Sequence, residues 1–171
     1  MTGKGGKTWN PDAAKRAASP AADLGPMPAW DLSDLYSDPK SEAVRADIEK
    51  AGAEATDIRE RFQGKLADMA VKGGADLAEA VQRYEALSDT LGKLGSYAGL
   101  LYAADTANPE YAKFYGDIQE KLTAITTDLI FFELEINKID DAVLARALDG
   151  PVAKYKPWFD DLRKEKPYQL D

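Results

Sequence analysis

Apolar side chains recur at alternating three- and four-residue steps from residue 38 onward. This spacing places them along one side of an α-helix and predicts a series of amphipathic helices. The first stripe is Val44, Ile48, Ala51, Ala55, Ile58, Phe62 and Leu66. The second is Leu77, Val81, Tyr84, Leu87, Leu91, Leu94, Ala98 and Leu101. The third is Tyr111, Phe114, Ile118, Leu122, Ile125, Leu129, Phe132, Ile136 and Ile139. No segment alternates convincingly with period two, so we predict an all-α fold, an antiparallel bundle of three long helices.

Residues that favour helix ends mark the boundaries of these helices. Asp38-Pro39 predicts the start of the first helix, with Asp38 as N-cap and proline at the first helical position. Asp76 and Glu79 have the spacing of a capping box and predict the start of the second. Asn108-Pro109 starts the third. Gly150-Pro151 is a common stop signal and divides two short C-terminal helices. These helices are predicted at about residues 141–148 and 152–164.

Residues 1–28 are rich in glycine and proline, and they predict a disordered tail because such a segment buries little apolar surface. The tail contains the sequence GKGGKT at Gly3–Thr8, which partly resembles a phosphate-binding loop. The phosphate-binding pattern requires a glycine five positions before the Gly-Lys-Thr, and Met1 occupies that position. We therefore interpret GKGGKT as part of a flexible basic tail and residues 29–171 as the helical domain.

The composition excludes several classes of function. The 22 Lys and Arg residues and 30 Asp and Glu residues leave a net charge of −8, which argues against a nucleic-acid partner. The sequence has no Cys and no His, so it lacks the commonest metal ligands and the commonest general base. No apolar run is long enough to span a bilayer, and no apolar segment at the N-terminus is typical of a signal peptide. We expect a cytoplasmic protein without a membrane partner.

Small residues share one face of the second predicted helix: Ser88, Gly92, Gly95, Ser96, Gly99 and Ala103. Each glycine inside a helix costs about 1 kcal/mol relative to alanine. We interpret this face as a site where another backbone approaches closely, with a kink near Gly95 as a further possibility and a helix that merely tolerates glycine as the alternative.

The segment DLIFFELEI, Asp128 to Ile136, is apolar around the whole helix. Ile130, Phe131 and Leu134 lie beside the third stripe. Two interpretations remain open, a wide core face or a second surface for a partner domain. Glu133 and Glu135 face different ways and are interpreted as solvated or salt-bridged side chains.

Four segments carry a family resemblance. They are WDLSDLY (Trp30 to Tyr36), KLGSYAGLLYAADTANPEY (Lys93 to Tyr111), FFELEINKIDD (Phe131 to Asp141) and LRKEKPYQLD (Leu162 to Asp171). In this order they resemble the N-terminal region of the oligoendopeptidase F group, zinc metallopeptidases related to thimet oligopeptidase. The resemblance covers about residues 29–171. WDLSDLY is expected to form one helical turn, capped by Asp31, that anchors the start of the bundle.

The resemblance implies that the chain is the N-terminal fragment of a zinc-dependent oligopeptidase that hydrolyses short peptides. In that family the N-terminal helices form part of the wall of a deep cleft. An H-E-x-x-H helix far downstream, with a later Glu, holds the zinc and supplies the base. None of those residues occurs in this sequence, so we predict no catalytic, cofactor-binding or metal-binding residue here. The expected partners are the catalytic domain of the same polypeptide and, in the full-length protein, short peptide substrates.

The alternative function belongs to a different class: a stand-alone helical adaptor that binds proteins through its apolar stripes. An open reading frame beyond Asp171 that encodes H-E-x-x-H would favour the peptidase, and a stop codon there would favour the adaptor.

Overall fold

The computed structural model describes residues 30–169, which contain helices and turns and no strand. The helices are α1 (Glu42–Phe62), α2 (Leu66–Val71), α3 (Ala75–Ala104), α4 (Pro109–Thr127), α5 (Ile130–Lys138), α6 (Asp141–Leu148) and α7 (Lys156–Leu162). Two 3-10 helices, Ala153–Tyr155 and Arg163–Tyr168, flank α7. The predicted all-α fold is confirmed. The predicted tail at residues 1–28 lies outside the described residues.

Helix α3 is the central helix and runs antiparallel to both α1 and α4. Its contacts with α1 run in opposite directions along the two helices: Lys93 lies near Asp47, Arg83 near Glu54 and Arg61 of α1 near Glu79 of α3. Its contacts with α4 show the same reversal, because Gly95 faces Leu122 and Tyr102 stacks on Tyr115. Short connections between long helices favour such antiparallel neighbours.

The three predicted stripes form the core, which divides into two clusters. The larger contains residues from α1, α2, α3, α5 and α6 and from the C-terminal helices, including Ile58, Leu77, Phe132 and Phe159. The smaller surrounds Tyr36 at the other end of α1. Nearly every stripe residue is buried or packs against a buried one, as expected for helices whose stability comes from one apolar face.

The first two helices begin at residues other than the predicted ones. Helix α1 starts at Glu42, and its N-cap is Ser41, whose Oγ accepts a hydrogen bond from the backbone N–H of Val44. Asp38 instead caps the preceding turn, where its carboxylate accepts from the N–H of Lys40 at 2.8 Å. Both residues are good caps, and sequence alone does not rank them.

Helix α3 begins at Ala75 behind Gly74, which has φ +82° and no capping side chain, so the predicted capping box at Asp76 is wrong. A Cβ on Gly74 would lie 3.1 Å from Cγ2 of Val152 and 3.3 Å from Cβ of Ala147. Glycine is required here by both the left-handed backbone and the close approach of α6 and the residues after it. The predicted starts at Asn108 and after Asp140 agree with the structure, and both side chains accept hydrogen bonds from the first turns of their helices.

The chain between the first two long helices also differs from the prediction. Helix α1 ends at Phe62, and Leu66 starts a separate short helix after a turn at Gly64 with φ +77°. Leu66 is still fully buried, so the stripe continues across the break.

The third predicted helix is interrupted at Asp128 and Leu129. Their backbone N–H groups donate to the carbonyl oxygens of Ile125 and Thr126, three residues back, at 3.2 and 3.0 Å. Such a tightened turn marks a bend in a helix. The Asp128 carboxylate pairs with Arg59 of α1 and accepts from Thr56 Oγ1 at 3.4 Å, which holds the bend against α1.

The small-residue face of α3 is mostly open rather than closely packed. Gly92 is exposed, and an added Cβ there would meet nothing within 4 Å. Gly95 is the tight position, since its Cβ would lie 3.2 Å from Cδ1 of Leu122. The approaching group is a side chain, so the predicted backbone contact is wrong.

The WDLSDLY segment forms the predicted turn over most of its length. The carboxylate of Asp31 accepts from the N–H of Ser33 at 2.9 Å, and Leu35 donates to the carbonyl oxygen of Leu32. Tyr36 is buried, packs edge-on against Tyr97, and donates its hydroxyl to Asp47 at 2.7 Å. Burial, followed by the Asp47 carboxylate, raises the pKa of Tyr36 above its ordinary value. Trp30, in contrast, is exposed.

The described residues from Asp31 onward form one compact unit. Within that part of the chain, no helix combines the length and the apolar character needed for a membrane crossing.

Candidate interaction surface between α5 and the C-terminal turn

Helix α5 divides its apolar residues between the core and the surface. Phe132 and Ile136 are fully buried, and Phe132 stacks on Tyr84 of α3 with ring centroids 4.4 Å apart. Ile130 and Leu134 remain 60% and 42% exposed, respectively, one turn apart on the same side of the helix. Phe131 is half-buried and packs against the core. The second-surface interpretation therefore applies to Ile130 and Leu134, and Phe131 belongs to the core.

A single guanidinium group caps the C-terminal end of α5. Arg163 Nη1 donates to the carbonyl oxygens of Ile136 and Asn137 at 2.9 and 2.7 Å, and Nη2 donates to that of Ile139 at 2.5 Å. The last carbonyls of a helix lack partners within it and carry partial negative charge, so a cation here is stabilising. We call this the Arg163 clamp; it ties the C-terminal 3-10 helix to α5.

The same guanidinium also binds the first residue of α6. Arg163 Nη2 lies 2.5 Å from an oxygen of Asp141, and Lys166 Nζ lies 3.0 Å from that oxygen. The hydrogen bond from Lys166, followed by the charges of Arg163 and Lys166, lowers the pKa of Asp141 below its usual value of 3.8. Three elements, α5, α6 and the C-terminal turn, thus meet at one cation.

A cleft of about 450 Å³ lies beside the clamp. Helix α5 contributes one wall and the segment from α7 to the C-terminal turn contributes the other. Its lining residues are Glu133, Leu134, Asn137, Leu162, Lys164, Glu165, Tyr168 and Gln169. Tyr168 is 85% exposed, so together with Ile130 and Leu134 it gives this face an apolar surface. We call Ile130, Leu134 and Tyr168 the apolar patch.

The two acidic residues of α5 make hydrogen bonds that the sequence did not indicate. Glu133 accepts from the hydroxyl of Tyr84 at 2.9 Å, and Glu135 accepts from the backbone N–H of Gly64 at 2.7 Å. Burial and the nearby Glu133 charge raise the pKa of Tyr84 above its ordinary value. Both carboxylates therefore fasten α5 to neighbouring elements.

Sequence reasoning assigned no catalytic or ligand-binding residue, and it missed both the clamp and the cleft. Arg163 lies more than 20 residues after the carbonyls that it caps, and no local motif marks such a pair. Across residues 30–169, no three His, Cys, Asp or Glu side chains are grouped so that they could hold a metal ion.

A comparison with protein families matches most of the residues that line this cleft, but not Ile130 and Leu134 of the apolar patch. The model of a peptidase family's N-terminal domain, described as Oligopeptidase F, matches residues 135–171, about a fifth of the chain. The match includes most of two segments that carried the resemblance, Phe131 to Asp141 and Leu162 to Asp171. The segments at Trp30 to Tyr36 and Lys93 to Tyr111 lie outside it.

Searches of curated proteins and of solved structures gave no match. Residues 135–171 are similar to the N-terminal region described as Oligopeptidase F.

Proposed function

We propose that this chain is the helical N-terminal part of a zinc-dependent oligopeptidase that resembles oligoendopeptidase F and hydrolyses short peptides. The observation that carries the proposal is the family match at residues 135–171. The order of the four resembling segments along residues 30–171 supports extending it to the rest of the helices.

The proposed role of the chain is structural and selective. Helices α1, α3 and α4 pack against one another as a bundle, and we propose that this bundle forms a wall that limits which substrates enter the cleft. The zinc, held by an H-E-x-x-H motif that this His-free sequence does not contain, would supply a Lewis acid at the scissile carbonyl. The residues of this chain would bound the space around the peptide and position the catalytic domain.

The apolar patch is the proposed contact with that catalytic domain. Three large apolar side chains exposed on one face are typical of a surface that another part of a protein covers. Full burial of each such side chain is worth about 1.5 to 3 kcal/mol. We also place the protein in the cytoplasm, with which a cysteine-free sequence is compatible.

Two measurements test the proposed function. The genomic reading frame is expected to continue past Asp171 and to encode H-E-x-x-H. A stop codon directly after Asp171 would contradict the proposal that the chain is part of a peptidase. The product of the complete frame is expected to cleave a short quenched-fluorescence peptide, with activity lost on chelation and restored by zinc. Cleavage that persists in the chelator would contradict the zinc-dependent mechanism.

The contact with the catalytic domain has its own test. The Ile130→Ser/Leu134→Ser variant is expected to lower the thermal midpoint of the complete protein but to leave that of the 171-residue chain nearly unchanged, because both side chains are exposed in the latter. Val71→Ser, which also changes an exposed apolar side chain but one outside the patch, is the control. An equal effect on both proteins would contradict the contact.

The adaptor remains the second candidate, because the same apolar patch would suit a separate protein partner. A reading frame that stops at Asp171, together with a stable complex that the Ile130→Ser/Leu134→Ser variant disrupts, would favour it.

A further inference from the structure

The cleft beside the Arg163 clamp has two walls that side-chain hydrogen bonds tie together. Arg163 joins the C-terminal turn to the end of α5 through three backbone carbonyl oxygens. The side-chain amide of Gln169 donates to the carbonyl oxygen of Leu134 at 3.2 Å, from one wall to the other, and its Oε1 atom is buried. Both side chains therefore shape the cleft, and their polar groups are either engaged or closed off from it.

Asn137 is the lining residue whose side chain is buried and still without a partner. It is only 6% exposed, and its side chain makes no hydrogen bond with residues 30–169. Because Oδ1 has almost no accessible surface, the amide N–H2 group is the part of this side chain that can meet a group in the cleft. A few well-placed polar groups fix the orientation of a ligand in an otherwise apolar cleft. The cleft therefore suits a group that brings a hydrogen-bond acceptor.

The charges of the lining determine the charge of that acceptor. Glu133 accepts from the Tyr84 hydroxyl, and Glu165 makes no ion pair within the described part of the chain. Lys164, the cation of the lining, pairs with Asp161 at 2.8 Å. Two carboxylates beside one paired ammonium repel a carboxylate or a phosphate, since like charges brought together oppose binding. The acceptor that fits is uncharged, as the carbonyl oxygen of an amide is.

The apolar lining indicates what accompanies the carbonyl oxygen. Leu134, Leu162 and Tyr168 line the cleft, whose volume of about 450 Å³ lies within the range of ligand sites, about 300–1,000 Å³. Leu134 and Tyr168 also belong to the apolar patch, which continues outside the cleft to Ile130. An occupant that covers both surfaces extends beyond the cleft, as a polypeptide does and a small ligand does not. Its side chain within the cleft is expected to be large and apolar.

We propose that the cleft beside the Arg163 clamp binds an uncharged segment of a polypeptide partner that carries a leucine-sized side chain. A main-chain carbonyl oxygen of the segment accepts from the N–H2 group of Asn137. The apolar side chain lies against Leu134, Leu162 and Tyr168, where burial of apolar surface favours binding. The single donor selects for a carbonyl oxygen in one position, and the carboxylate of Glu165 selects against an anion.

The chemistry of the cleft is independent of whether the full-length protein is a peptidase. The test is an NMR titration of the 171-residue chain with N-acetyl-leucine N-methylamide, and a saturable downfield shift of the Asn137 N–H2 protons is expected. The glycine analogue lacks the apolar side chain, and N-acetyl-leucine has a carboxylate in place of the second amide. Each is expected to bind about tenfold more weakly. Equal binding of the three probes, or binding of the leucine amide without a shift at Asn137, would overturn the proposal.

Two variants make the test specific. Asn137→Leu keeps a side chain of similar size without the donor, and it is expected to weaken binding of the leucine amide about tenfold. Its thermal midpoint is not expected to fall, since the unpaired Oδ1 is removed as well. Glu165→Gln removes a negative charge, so it should reduce the difference in affinity between the leucine amide and N-acetyl-leucine.

The matched control is Gln82→Leu, which replaces an amide side chain in a second cleft between α1 and α3. It should bind all three probes as the wild type does, with backbone amide shifts at Leu134 and Gln169 as the common readout for every variant. Asn137→Leu that binds the leucine amide as tightly as the wild type would overturn the proposed hydrogen bond. A difference between the amide and the carboxylate that Glu165→Gln leaves unchanged would overturn the proposed selection against anions.

Discussion

Arg163 Nη2 lies 2.5 Å from the carbonyl oxygen of Ile139, the residue that directly follows α5. The side chain of Arg163 is only 14% exposed, so it has little access to water. It donates hydrogen bonds to the backbone carbonyl oxygens of three residues, which would lose this donor if Arg163 were replaced. The position of the C-terminal turn relative to α5, and with it the shape of the cleft, therefore depends on this one guanidinium.

We expect Arg163→Leu to destabilise the protein by about 2 kcal/mol or more, because charge-assisted hydrogen bonds are worth about 1.5–3 kcal/mol and their loss leaves carbonyl oxygens unpaired. Arg163→Lys should recover only part of this, since an ammonium lacks the planar fork. Urea unfolding followed by circular dichroism gives the free energy of unfolding. Lys164→Ala, which removes an exposed pair with Asp161, should change it by less than about 1 kcal/mol. Equal effects of Arg163→Leu and Lys164→Ala would show that the clamp does not stabilise the fold.

The clamp should also make stability depend on acid pH. The folded-state pKa of Asp141 is below its usual value of 3.8, so the folded state holds the proton less tightly than the unfolded state. The stabilisation from Asp141 is therefore present above the unfolded-state value and is lost as the pH falls through the lowered one. The difference in thermal midpoint between the wild type and Asp141→Asn is expected to be larger at neutral pH than at about pH 2. A difference that grows as the pH falls would have the wrong sign for this contact.

Two of the three glycines on the small-residue face of α3, Gly92 and Gly95, should respond in opposite directions to a larger side chain. Gly92→Ala should raise the free energy of unfolding by about 0.5–1 kcal/mol, because its Cβ meets nothing and alanine is the better helix former. Gly95→Leu should lower it by about 1 kcal/mol or more, since Leu122 already lies 3.2 Å from the position of a Cβ. Thermal or urea unfolding measures both. A stabilising Gly95→Leu would show that Leu122 moves aside without cost.

The 171-residue chain is expected to associate, or to bind a hydrophobic dye, through the apolar patch. Replacing Ile130 and Leu134 with serine should reduce this while leaving helicity unchanged, because both side chains are exposed. Light scattering with circular dichroism measures both quantities, and Val71→Ser is the control. A wild-type monomer that binds no dye would show that the patch alone does not drive association.

Replacing Phe132, which stacks on Tyr84 in the core, should lower the free energy of unfolding strongly, unlike replacing the exposed residues of the apolar patch. Phe132→Ala is expected to destabilise the protein by about 3–5 kcal/mol, because its ring is fully buried against Tyr84. A loss below about 1 kcal/mol on urea unfolding would show that this part of α5 does not belong to the cooperative core.

The all-α fold, the stripes that form the core, the helix start at Asn108-Pro109 and the short helix at residues 141–148 were predictable from the sequence alone. Apolar periodicity is a local property, and burial of a stripe survives breaks in the backbone, as Leu66 and Leu129 show. Helix caps such as Asn108 are also local, because they bond to backbone groups within a few residues. The family resemblance rested on contiguous segments, and two of these segments lie largely within the family match.

Only the tertiary structure decided the features that depend on residues far apart in the sequence. The bend at Asp128 is held by Arg59, the glycine at position 74 is required by Val152, and Arg163 caps a helix that begins more than 30 residues earlier. The same holds for the cleft, where Asn137 and Gln169 come together from opposite walls. The apolar pattern of a helix specifies which side of that helix is buried. Which residues it contacts on that side depends on how the helices pack against one another, and the local spacing of apolar residues does not encode this packing.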